Sequence, residues 1–205
     1  MADSGRTTSP RPGRDGLGDG QEGGLAAGVL PPFPFRHRLI PAIHAVVPTR
    51  FGAAGRSLAA VYAAVTALAA NAALRPGGEP YSLVAGRLLV RVPGNPGVVL
   101  DPAGQDETGP PFHAWAGRRH SSGRAEIADL STRELNGWAE RTGLAVGARF
   151  PRAVWAFEDE VPRAFRYVAD LEATVRARES LEPLPEDAVA DAVRDVLLRL
   201  DERSS

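Results

Sequence analysis

The stretch FHAWAGRRHSSGRAEIADLS, residues 112–131, decides the fold. Residues 112–117 and 124–130 read as two strands. Between them lies His120-Ser121-Ser122-Gly123, a run of turn formers. Two strands joined by such a turn read as an antiparallel hairpin. With the pairing centred on Ser121, His113 falls directly opposite Asp129 on one face, and Trp115 shares that face. A register displaced by two would leave the pair as diagonal neighbours. A one-residue slip in a single strand would separate them. A carboxylate so placed can fix the imidazole tautomer and stabilise the imidazolium.

Upstream, residues 52–71 form the strongest helical signal. Leu58, Val61, Tyr62, Val65, Leu68 and Ala69 follow i, i+3, i+4 spacing, and alanine fills most other faces. A rod this apolar belongs at the centre of the domain. Pro31, Pro32 and Pro34 predict an extended lead-in, followed by a short helix that stops before Pro48. Residues 81–92 read as a strand, 93–97 as a turn and 98–100 as a short strand. Downstream, Ser131-Thr132-Arg133-Glu134 has the form of a capping box, which predicts a helix to about Arg141. Residues 143–155 read as irregular or short-stranded. Phe165, Val168, Leu171 and Val175 predict a helix over 163–178, then a linker and a last amphipathic helix over 186–200. The fold class is α+β: a central apolar helix packed on a mostly antiparallel sheet, with C-terminal helices. Residues 1–28, rich in Gly, Ser, Arg and Asp, read as a disordered tail, and 29–205 as one domain.

Composition excludes several chemistries. The chain has no cysteine, hence no thiolate nucleophile, disulfide or cysteine-bound metal. All 24 basic residues are arginine, so a Schiff-base or P-loop lysine is also absent. A formal net charge of −1 offers no pull toward nucleic acid or anionic membrane. The alanine-rich run 57–74 reads as a buried helix rather than a membrane span. No secretory signal is evident, and the expected location is cytoplasmic.

A helix, a strand ending near Gly86, then His-Ala-Trp, then Asp-Leu-Ser resembles the papain-like superfamily, chiefly its transglutaminase-like branch and related bacterial cysteine-peptidase-like proteins. The resemblance spans roughly residues 52–134. It implies a papain/transglutaminase-like fold, with His113 at the position of the catalytic base and Asp129 at that of the orienting carboxylate. In such families a cysteine opens the central helix. Here Ser57 is the nucleophilic side chain near that position, with Ala53 and Ala54 alongside. The glutamine that completes the oxyanion hole in the papain branch has no counterpart, since the glutamines are Gln21 and Gln105. These departures point to a catalytically degenerate domain that binds a peptide, protein or small molecule, with Trp115 and Tyr62 as candidate ligand-binding residues. The alternatives are a Ser57-His113-Asp129 hydrolase or acyltransferase, and a structural protein in which the pair is incidental. No cofactor or metal is expected. Arg118-Arg119-His120 and Arg36-His37-Arg38 read as solvated basic clusters, and Glu158-Asp159-Glu160 as an acidic approach to a helix.

Overall fold

The computed structural model describes residues 30–52, 58–74, 79–92, 95–100, 112–141 and 150–202. The expected tail at 1–28 and Ser57 lie outside them. Helices α1 (Phe33–Phe51) and α2 (Leu58–Ala73) precede strands β1 (Ser82–Val92), β2 (Asn95–Leu100), β3 (His113–Arg119) and β4 (Ala125–Asp129). Helix α3 (Glu134–Arg141), strands β5 (Val154–Phe157) and β6 (Phe165–Ala169), and helices α4 (Leu171–Glu179) and α5 (Ala188–Glu202) follow. The sheet runs β2-β1-β3-β4-β5, with β6 also on β1, and every pairing is antiparallel. The α+β class and the C-terminal helices agree with the sequence reading.

Helix α2 packs against one face of the sheet. Val61 and Val65 meet Ala116, Ala128 and Leu130, and Ala60 and Ala63 meet Leu83, Ala85 and Ala114. Small side chains on both surfaces allow this close approach. Leu68, expected on the buried stripe, is 49% exposed. Helices α1 and α5 complete this layer through Leu39, Ile43, Val47, Val196 and Leu200. The opposite face carries a second cluster, with Trp115, Ile127, Leu88, Val90 and Tyr167 under Leu135, Ala139 and Phe150.

Four local expectations are corrected. Helix α1 begins at Phe33 and runs through Pro41 and Pro48 instead of stopping before the latter. Pro34 sits in the first turn, where no N–H is needed. Each internal proline costs about 3 kcal/mol. Burial of Leu39, Ile43, Val46, Val47 and Phe51, at roughly 1.5–3 kcal/mol each, outweighs that cost. The helix expected over 163–178 is instead a strand, β6, followed by α4. Asp170 separates them by capping α4, its carboxylate accepting from Ala173 N at 2.8 Å. Val168, Leu171 and Val175, the supposed buried face, are exposed. The capping box at Ser131 is not the one the sequence suggests. The Ser131 hydroxyl donates to Asp129 Oδ1 at 2.8 Å, and Glu134 pairs with Arg133. Finally, Arg118 and His120 are buried rather than solvated.

The hairpin register also differs. Ala116 faces Ala128 and Arg118 faces Glu126, so the pairing centres on Ser122. Gly123 is the reason: its φ of +82° lets Ser121-Ser122-Gly123 close as a three-residue loop. His120 and Arg124 then become the closing pair, with His120 N donating to Arg124 O at 2.8 Å. His113 and Asp129 are diagonal neighbours, on the same face.

Candidate functional site

Strand alternation on β4 sends Ile127 and Asp129 to one face of the sheet and Glu126 and Ala128 to the other. Two buried carboxylates, each 1% exposed, therefore sit three residues apart on opposite sides of one strand.

Asp129 lies on the face away from α2. Its Oδ2 accepts from His113 Nε2 at 2.6 Å and from the Tyr167 hydroxyl at 2.8 Å. Its Oδ1 accepts from Ser131 N at 2.9 Å and Ser131 Oγ at 2.8 Å. Burial pushes this carboxyl up. The His113 imidazole and the donated hydrogen bonds of His113, Ser131 and Tyr167 outweigh that and hold it below the usual carboxylate range. Burial, then the adjoining Asp129 carboxylate, raises the Tyr167 phenol well above its ordinary value, so it stays a donor. Gly86 makes room for β6 here, since a Cβ at that position would lie 2.0 Å from Val168 O. The rings of His113, Trp115 and Tyr167 form a contiguous set, with Trp115 and Tyr167 centroids 5.1 Å apart.

Glu126 lies on the α2 face. Its Oε1 accepts from the Tyr81 hydroxyl at 2.6 Å and Trp155 Nε1 at 2.7 Å. Its Oε2 accepts from Arg118 Nε and His120 Nε2, both at 2.8 Å. Asn71, at the end of α2, brackets the Tyr81 backbone with two 2.8 Å bonds and so aims that side chain inward. Burial, then the Glu126 charge, raises the Tyr81 phenol. Arg118 also stacks on the Tyr81 ring, 4.5 Å from its centroid.

Of the residues singled out in the sequence, His113, Asp129 and Trp115 come together. Tyr62 does not join them. It is buried between α2 and α1 with its ring 5.9 Å from that of His44, on the other side of the sheet, and burial pushes its phenol up to about 12. His44 in turn donates from Nε2 to Leu130 O at 2.8 Å, which pins the residue after Asp129. Helix α2, whose first turn follows Ser57, packs on the face that His113 and Asp129 turn away from. Sequence reasoning missed Tyr167, hidden in a supposed helix. It also missed the four donors around Glu126, since Arg118 faces Glu126 only in the register centred on Ser122. Glu158-Asp159-Glu160 forms a short 3₁₀ turn, from which Asp159 and Glu160 clamp Arg124. Arg36 donates to the backbone oxygens of Pro31 and Trp155.

A cleft of ≈ 280 Å³ opens on the Asp129 face, its walls including Val84, Trp115, Ile127 and Tyr167. Gly117 forms part of its floor. A Cβ there would meet Val84 Cγ2 at 3.0 Å and Trp115 Nε1 at 3.5 Å, so the bare Cα keeps the space beside the indole open. Among the described residues, the Trp115 N–H has no acceptor, in contrast to that of Trp155. No group of three or more His, Asp or Glu side chains among those residues is arranged to hold a metal ion. Nor is any described helix long and apolar enough to cross a membrane.

No family model matches the sequence, and no curated protein does. A solved structure titled "The crystal structure of genomics APC5867" is similar in fold, with a TM-score of 0.54 at 17% identity. The alignment covers 83% of this chain and 82% of that one. A likeness at that identity speaks to the fold alone.

Proposed function

We infer that this chain is a non-catalytic binding domain whose ligand enters the cleft between Trp115 and Tyr167. The observation that carries the reading is the Trp115 indole N–H, a donor with no acceptor among the described residues, beside a glycine-floored cleft. A pocket with aromatic and aliphatic walls, a directed donor and a polar rim, here including Glu79, Arg119 and Glu158, is a common form of small-molecule or peptide side-chain site. On this reading His113 and Asp129 position the walls. Their bond fixes the imidazole against Trp115, and the shared carboxylate oxygen holds the Tyr167 hydroxyl.

The His113–Asp129 bond supports the resemblance to the papain/transglutaminase-like superfamily, as a degenerate member. Three features favour binding over turnover. The chain has no cysteine, α2 lies behind the sheet from the pair, and His113 Nε2 is committed to Asp129. A serine without a base and oxyanion donors is a weak nucleophile.

Two measurements test the reading. A nitrophenyl-ester and peptide hydrolysis screen is expected to give no turnover from the wild type. Turnover lost in both His113→Ala and Ser57→Ala would instead establish the hydrolase. A thermal-shift screen of small molecules and short peptides is expected to find compounds that stabilise the wild type. Trp115→Phe, which keeps a ring but removes the N–H, should weaken them about tenfold, the value of one well-made hydrogen bond. A screen with no stabilising compound would leave only the structural role.

A further inference from the structure

A second concavity, of ≈ 320 Å³, lies at the other end of β1, lined by Leu89, Arg91, Arg163, Ala164, Phe165 and Arg166. The β1–β6 register explains why the arginines collect there. Leu89 is the direct partner of Arg166, and Arg91 N donates to Ala164 O at 2.9 Å. Alternation then places Leu89, Arg91, Ala164 and Arg166 on one face. Arg163, two positions before the strand, lines the same hollow. Several arginines elsewhere are matched to carboxylates: Arg50 with Asp195, Arg118 with Glu126, Arg124 with Asp159 and Glu160, Arg176 with Glu172, Arg194 with Asp191. Among the described residues, Arg91, Arg163 and Arg166 have no carboxylate partner, and no acidic side chain lines the hollow.

Three guanidiniums around one hollow, in a chain of net charge −1, form a local field opposite to the global one. A carboxylate offers two oxygens to such a set, whereas a phosphate monoester offers three and a second negative charge. Leu89, half-buried on the same face as Arg91 and Arg166, adds an apolar wall that a bare inorganic ion would not use. The volume suits a small molecule and not a duplex. We propose that this hollow binds a small organic phosphate, with Arg91, Arg163 and Arg166 holding the phosphoryl group and Leu89 touching the organic body. The site is separate from the Trp115 cleft and does not depend on it.

The test is calorimetric titration of the full chain at low ionic strength with phenyl phosphate and with inorganic phosphate. Phenyl phosphate is expected to saturate one site, to bind more tightly than inorganic phosphate, and to weaken as salt rises. The double variant Arg91→Gln/Arg166→Gln should bind at least tenfold more weakly. Both side chains are exposed, so its thermal melt should match the wild type. The double variant Arg194→Gln/Arg199→Gln removes an equal charge from α5 and should change affinity less than twofold. Absence of saturable binding, or an equal loss in the α5 double variant, would overturn the proposal. So would saturation by a polyglutamate peptide with phenyl phosphate silent, which would assign the surface to an acidic protein partner.

Discussion

Asp129 and Glu126 occupy the same strand, are equally buried and each accept four hydrogen bonds from the described residues, yet they sit in different electrostatic company. Glu126 faces Arg118, a cation at any attainable pH, together with His120. Its carboxylate and the Arg118 guanidinium are almost wholly buried beside Tyr81 and Trp155. Asp129 has His113 as its one ionisable cation and otherwise leans on hydroxyls and a backbone N–H, and the aromatic side chains it orders border an open cleft. The difference teaches that a His–Asp bond is not by itself a mark of catalysis. The same strand builds two polar clusters, and the one with the cleft is the better candidate for function.

The largest expected effect comes from breaking the closed cluster. Glu126→Gln keeps the shape but removes the charge that matches Arg118, whose Nη2 already lacks a hydrogen-bond partner among the described residues. Stranding a buried guanidinium costs about 3–5 kcal/mol. Urea denaturation should show a loss of that size at neutral pH. A loss below about 1 kcal/mol would mean that Arg118 escapes to solvent and that the cluster is not closed.

Asp129→Asn should cost less, about 2–3 kcal/mol, because no permanent cation is abandoned. Its pH dependence separates the two carboxylates. The Asp129 carboxyl is held low in the folded protein, so its contribution is fully present above the unfolded value of about 3.9. It is lost as pH falls through the lower folded value. The wild type should therefore converge on Asp129→Asn in strong acid, and the gap should reopen by about pH 5. A gap that stays constant from pH 7 to pH 2 would mean that the carboxylate charge contributes nothing.

How much of this was legible in the sequence follows from the physics of each element. Helix α2 was clear because its spacing repeats over several turns, and β1 because its apolar run is long. The His113–Asp129 contact survived an error in register, since a displacement of two leaves diagonal neighbours within reach of side chains as long as histidine. The signal that could have corrected it was Gly123, the position where a left-handed residue closes a three-residue loop. Arg118 facing Glu126 would have followed at once. Strand β6 was not legible: Phe165, Val168, Leu171 and Val175 fit a helix, and only tertiary pairing with β1 makes that segment extended. Tyr167 was lost with it. The arginine hollow needed the same pairing, because Arg91 and Arg166 are 75 positions apart in the chain and meet only across β1 and β6.

The smallest expected effect is a coupling. Tyr81→Phe and Tyr167→Phe each remove one hydroxyl donor, from Glu126 and Asp129 respectively, and each should cost about 1–2 kcal/mol. The two clusters share no hydrogen-bonding residue and are divided by the sheet backbone. The double variant should therefore equal the sum of the singles within about 0.5 kcal/mol. A coupling above about 1 kcal/mol in denaturant titrations would mean that β4 transmits strain between its faces. The closed cluster would then tune the cleft, rather than merely hold the strand on which the cleft is built.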